Sequence, residues 1–204
     1  MREPWNKNKS VGQKKGFTPR QLEMIREFLI NQNKIMELAL LNIGVDTMLR
    51  YSDVSKLKVE DVLDWKGNIK DEINLKQKKT NHSHLVSLSE NSKWALKRWI
   101  KDSKKFEDDY LFSGNTKTGN QRREKLSRTT YTKYIKEWAQ YLHLNPQDYA
   151  SHSLRRTRAA FMYKQGVGLE IIRRLLGQKS IESTKAYLGI EQQEAFEVNK
   201  QFLI

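Results

Sequence analysis

Apolar residues in this chain recur at helical spacing almost throughout, in short runs cut apart by capping residues and glycines. They alternate in one place only. Such a pattern leaves few options: short helices packed on one another, with one small sheet among them. Phe17-Thr18-Pro19 reads as a helix start, with Thr18 as N-cap, Pro19 in the first turn and Phe17 as a staple. The helix that follows carries Leu22, Ile25, Phe28 and Leu29 on one face. A second apolar run, Ile35 to Ile43, is predicted to break at Gly44, with Asp46 or Thr47 capping a short helix through Arg50. After a turn at Trp65-Lys66-Gly67-Asn68, the alternating stretches around Ile73 and Val86 bracket the polar segment 76–84, predicting a β-hairpin or a three-stranded sheet. Ser89 opens a helix with Trp94, Leu96, Trp99 and Ile100 on its apolar face. Ser127 opens another with Tyr131, Tyr134, Ile135, Trp138, Tyr141 and Leu142. Three further helices are predicted over 153–165, 168–176 and 180–187, with Gly166 and Gly177 as stops. The expected fold is therefore mainly α with a small antiparallel β-sheet.

The core must form by burial alone. The 204 residues are 37% apolar and include no cysteine, which excludes disulfides, thiolate metal sites and a cysteine nucleophile. The cysteine count agrees with a reducing cytoplasm. The apolar runs are too short to span a bilayer, and the first sixteen residues are polar and basic, unlike a secretory signal. The four histidines lack metal-ligand spacing, so no metal is expected. Thirty-eight Lys and Arg against 24 Asp and Glu give a net charge of +14, which points to a polyanionic partner, most simply nucleic acid. Residues 1–16, with Lys7, Lys9, Lys14 and Lys15, read as a flexible basic arm.

One string carries chemistry. In Ser151-His152-Ser153-Leu154-Arg155-Arg156-Thr157, His152 and Arg155 stand at i, i+3 on one face of a helical turn. Both can donate to a single phosphate, Arg155 as a two-pronged planar donor. Tyr187 follows downstream, and a tyrosine hydroxyl becomes a usable nucleophile only beside such a charged cradle. The stretch from His152 to Tyr187 resembles the catalytic box of the tyrosine recombinase (phage integrase) family.

The resemblance extends over roughly residues 17–190 and implies that family's catalytic-domain fold. It implies that Arg50, three residues before Asp53, clamps the scissile phosphate and that Asp53 orients it from behind. Lys79-Thr80 matches the family's Lys-Thr turn, which makes Lys79 the general acid for the leaving oxygen; Lys76 and Lys78 are rivals, and all four residues are expected to touch DNA. Arg155 becomes the second clamp, His152 a phosphate donor or acid/base, and Arg156 a DNA-backbone contact or salt-bridge former. In Leu176-Gly177-Gln178 the family usually has a histidine where Gln178 stands. The amide can still donate a hydrogen bond but cannot carry charge. Tyr187 is the implied nucleophile, giving a 3′-phosphotyrosine intermediate with no metal or cofactor.

Usual members carry an N-terminal core-binding domain. Only about sixteen residues precede Phe17, so a short form without that domain is expected. Residues 191–204, ending in Phe202-Leu203-Ile204, are expected to dock on a neighbouring protomer. The implied function is site-specific recombination of double-stranded DNA, by integration, excision or inversion, as part of a mobile element. The protein would be monomeric in solution and tetrameric in the synapse, with an accessory DNA-bending protein as a possible partner. It would lie in a prokaryotic or phage-infected cytoplasm at the nucleoid, away from membranes. Two alternatives stay open: a type IB topoisomerase-like relaxation, and a non-catalytic DNA-binding accessory protein.

Overall fold

The computed structural model describes residues 13–76, 83–113, 124–190 and 200. Nine α-helices, one 3-10 turn (Pro146–Asp148) and two strands account for the ordered elements among these residues. They are α1 (Pro19–Asn31), α2 (Ile35–Thr47), α3 (Tyr51–Val54), α4 (Val59–Val62), β1 (Glu72–Lys76), β2 (Ser83–Ser87), α5 (Glu90–Ser103), α6 (Arg128–Tyr141), α7 (Ser153–Lys164), α8 (Leu169–Leu176) and α9 (Ile181–Leu188).

Thr18 caps α1 as expected, and Gln21 makes the cap reciprocal. Gln21 N–H donates to Thr18 Oγ1, and Thr18 N–H donates to Gln21 Oε1. Phe17 serves a different partner: its ring stacks on Tyr149 with centroids 4.7 Å apart.

Helix α2 is the central element and is buried on nearly every face, as expected of a helix apolar all round. It packs against α1, α5 and α7. The predicted break at Gly44 does not occur; α2 runs on to Thr47 and ends with Met48 in the left-handed region. Gly44 serves close packing instead. A Cβ there would lie 2.5 Å from Leu154 Cδ1 on α7. Nor do Asp46 and Thr47 cap the following helix. The Asp46 carboxylate accepts from Ser89 N–H (2.8 Å), Ser89 Oγ (2.7 Å) and Ser92 Oγ (2.6 Å), so it fastens α2 to the start of α5. Thr47 Oγ1 donates back to the Ile43 carbonyl.

The sheet has two strands among the described residues, rather than three. The strands β1 and β2 are antiparallel, with Ile73 opposite Val86 and Asn74 opposite Leu85. Ile73 and Val86 point into the core, while Leu85 is 60% exposed. On α5, Ala95 and Leu96 are buried and Trp99 is partly so, but Trp94 is 48% exposed. Trp94 precedes Leu96 by two residues, which is about 200° around a helix. On α6, Tyr131, Ile135 and Trp138 are buried. Tyr141 is more exposed, yet its ring stacks on Phe28 at 4.1 Å.

Two apolar clusters result. The larger unites α1, α2, α5, α6 and the hairpin. The smaller joins Met48, Ala159, Ile172, Leu176, Leu188 and Ile190 from α7 to α9 and the end of α2. Helix α7 serves both, with Leu154 in the first and Ala159 in the second. Gly166 and Gly177 both take positive φ, as stops should.

Of the residues read as a flexible arm, Gln13 to Gly16 are described and are anchored on the body. Lys15 pairs with Asp148 at 2.8 Å, and Lys14 Nζ donates to the Gln147 carbonyl at 2.7 Å.

Candidate active site

The site forms where the two clusters meet, around the first turn of α7. Arg155 is its best-fixed member, only 3% exposed. Its Nη1 donates to the Met48 carbonyl and its Nη2 to the Leu176 carbonyl. Met48 closes the C-terminus of α2, and Leu176 is the last residue of α8. Carbonyls at helix C-termini have no partner within the helix and sit at the negative end of the helix dipole, so they suit a cation. Burial draws the Arg155 guanidinium down from its ordinary value to about 10, with Arg50 adding to the fall, while Tyr187 and Asp53 oppose it. Arg155 therefore stays charged at neutral pH.

Tyr187, near the end of α9, reaches the same place. Its hydroxyl lies 3.4 Å from the His152 carbonyl and interacts directly with the Arg155 guanidinium. Arg156 holds its guanidinium carbon 5.8 Å from the Tyr187 ring centroid. Burial raises the Tyr187 phenol above 10, and Arg155, Arg156 and Arg50 pull against that rise without cancelling it. The resting phenol is therefore protonated.

His152 caps α7 from outside, and its imidazole is held below its ordinary 6.5. Partial loss of water is the first cause; the charges of Arg155, Arg128 and Arg50 follow. Arg50 stands just ahead of α3 in extended backbone, close enough for its charge to act on His152, Arg155 and Tyr187 alike. Asp53, buried within α3, acts on Arg155.

Of the residues singled out from sequence, Arg50, Asp53, His152, Arg155, Arg156 and Tyr187 thus converge. Gln178 sits between α8 and α9, where Arg173 fixes its carbonyl at 2.8 Å. Its amide oxygen accepts from Thr184 Oγ1 at 2.7 Å, and its amide nitrogen lies 3.5 Å from the Ser183 carbonyl. Arg156 turns inward: Nη1 donates to the Lys14 carbonyl at 2.8 Å, and Nη2 to Gln13 Oε1. Lys78, Lys79 and Thr80 lie outside the described residues. Lys76 closes β1, paired with Ser83 of β2.

Three participants carry no signal in the sequence. Arg128, the first residue of α6, adds its charge at His152, although nothing in the spacing of the two residues links them. The Met48 and Leu176 carbonyls are backbone groups with no side-chain signature. The resulting arrangement offers a phenol beside several fixed guanidinium groups and one neutral imidazole, which suits an oxyanion and a nucleophilic attack upon it.

Known proteins are similar to this chain in sequence and in fold. The sequence model of the Phage integrase family matches residues 15–194. The probable integrase/recombinase YoeC of Bacillus subtilis is 27% identical over 172 residues, 84% of this chain and 87% of that protein. A tyrosine recombinase of Pseudothermotoga lettingae is 25% identical over 184 residues, 89% of this chain but 59% of that protein. The tyrosine recombinase XerA of Pyrococcus furiosus is 24% identical over 176 residues, and the match spans 57% of it. Among solved structures, XerA recombinase superposes with a TM-score of 0.69 at 20% identity, covering 98% of this chain and 69% of that one. XerH bound to its palindromic difH substrate, a post-cleavage complex, gives 0.70 at 20% identity over 94% of this chain and 55% of that one.

Proposed function

The chain belongs to the phage integrase family, and on that premise we propose that it is a tyrosine site-specific recombinase that cuts and rejoins double-stranded DNA. The observation that carries this reading is the Arg155–Tyr187 pair, a guanidinium held by two helix ends and turned onto a phenol. The DNA complexes known for similar proteins, such as XerH on difH, agree with a DNA substrate. So does the net charge of +14.

In the proposed reaction Arg155 and Arg50 hold the non-bridging oxygens of one phosphodiester. Tyr187 Oη attacks the phosphorus as its proton passes to His152, whose neutral form partial burial and the surrounding cations favour. The bond to the 5′ oxygen breaks, and that oxygen takes a proton from Lys79. The product is a 3′-phosphotyrosine and a free 5′ hydroxyl. Attack by the 5′ hydroxyl of the partner strand reverses each step, so no high-energy cofactor is consumed. Gln178 adds a neutral donor to the phosphate, and Asp53 steadies the arginines. Lys76, Lys78 and Thr80 complete the contact with DNA.

We assign residues 191–204 to docking on a neighbouring protomer within a tetrameric synapse, and the protein's place of action to the cytoplasm. Among the described residues no helix is long and apolar enough to cross a membrane.

The test is a supercoiled plasmid carrying two copies of the DNA that flanks the protein's own gene. Inverted or excised products are expected. Relaxed circles with unchanged sequence order would instead identify a topoisomerase, and binding with neither product an accessory protein.

A further inference from the structure

The segment ahead of α1 does more than lead into the fold: it closes onto the helix that carries Tyr187. Gln13 is the key residue. Its side-chain oxygen accepts from Arg156 Nη2, and its side-chain nitrogen donates to the carbonyl of Ala186, the residue before Tyr187. A single amide thus ties α7 to α9. Arg156 is bound a second time, by the Lys14 carbonyl at 2.8 Å, which holds its guanidinium beside the Tyr187 ring.

Two glycines line this clasp. A Cβ on Gly189 would lie 2.8 Å from Gln13 Oε1 and 3.1 Å from Arg156 Nη2, and Gly189 also takes φ +71°. A Cβ on Gly16 would come within 2.9 Å of the Thr157 backbone. The segment is then pinned further along. Lys15 N–H donates to the Asp148 carbonyl at 2.7 Å, Phe17 N–H donates to Thr157 Oγ1 at 2.8 Å, and Phe17 stacks on Tyr149.

We infer that Gln13 is a positioning residue for Tyr187, and that the chain entering at residue 13 sets the placement of the nucleophile helix through Arg156. The first statement rests on the reading of Tyr187 as the nucleophile; the clasp itself does not. An amide is the side chain the place requires, since it must accept at one atom and donate at the other. A carboxylate at this position keeps the Arg156 contact and loses the donor to Ala186. A lysine at position 156 keeps the charge but cannot reach two acceptors in one plane.

The experiment uses the full chain without DNA. Amide hydrogen exchange across α9 is followed in the wild type, Gln13→Ala, Gln13→Glu and Arg156→Lys, alongside the 13Cζ resonance of Tyr187 in tyrosine-labelled protein. That resonance is identified as the one lost in Tyr187→Phe. The expected result is α9 exchange faster by roughly ten-fold in all three variants, with α2 unchanged. The Tyr187 resonance moves, and those of Tyr131 and Tyr134 do not. Gln13→Asn, which keeps an amide, falls between wild type and alanine. Wild-type α9 exchange and an unmoved Tyr187 signal in Gln13→Ala and Gln13→Glu would overturn the inference. Thermal midpoints are recorded in parallel, and a midpoint lowered together with faster exchange in α2 would also count against it. These readouts need no recombination, so failure to form a DNA adduct would strike the proposed function and leave this result standing.

Discussion

A guanidinium as enclosed as that of Arg155 must have acceptors at hand, because an unpaired buried charge costs several kcal/mol. The ends of α2 and α8 supply them, and the rest of the group is left to face Tyr187. Lysine at this position would keep the charge but not the flat, two-pronged geometry. Arg155→Lys is expected to slow formation of the DNA adduct by about 10²-fold or more. It should also lower stability by about 1–3 kcal/mol in urea denaturation. A second prediction concerns His152, whose imidazole is held below its ordinary value by desolvation and by Arg155, Arg128 and Arg50. The folded protein therefore binds the His152 proton less readily than the unfolded chain. Its contribution to stability is complete above the ordinary histidine range and is lost as pH falls through that range. NMR titration should place the midpoint below 6.5, and DNA phosphate should raise it. Arg50, His152, Arg155 and Tyr187 were legible in the sequence because their spacing matches a known pattern. Arg128 was not, because only the tertiary fold brings the start of α6 near His152.

Helix α2 shows how packing overrides a local rule. Glycine ordinarily weakens a helix interior by about 1 kcal/mol relative to alanine, which is why a break at Gly44 was expected. Here the missing Cβ lets α7 approach, and the fully buried Leu154 fills the space. Gly44→Ala therefore gains helix propensity but forces a methyl to within 2.5 Å of Leu154 Cδ1. Overpacking of this kind costs about 1–3 kcal/mol, so a net loss of about 1 kcal/mol is expected in urea or thermal denaturation. A stability gain would mean that α7 yields easily. Because α7 carries Arg155 and begins just after His152, the same substitution should slow adduct formation. The cap of α1 was readable from Thr18 and Pro19, since that signal is wholly local. The link from Asp46 to Ser89 and Ser92 was not, because it joins residues more than forty positions apart in sequence.

For the molecule as a whole, helical periodicity with one alternating segment sufficed to indicate a mainly helical fold with a hairpin, because both signals are repeated along the chain. The division into two clusters with the site between them was not visible, since it depends on Met48 leaving α2 to join α7–α9. The charge of +14 sets the expected mode of binding: phosphate contacts release counterions, so affinity should fall steeply with salt. With about 6–10 contacts, raising salt from roughly 50 to 200 mM costs on the order of 10³-fold or more in affinity for duplex DNA, measurable by fluorescence anisotropy. A flat salt response would remove the electrostatic basis of the account. The most direct test of the central claim is to incubate the protein with nicked duplex DNA carrying a candidate recombination site and resolve the products on a denaturing gel. The account predicts a protein–DNA band that survives denaturation, maps to the peptide containing Tyr187 and is absent in Tyr187→Phe, which still binds the duplex. A covalent band that persists in Tyr187→Phe would contradict it.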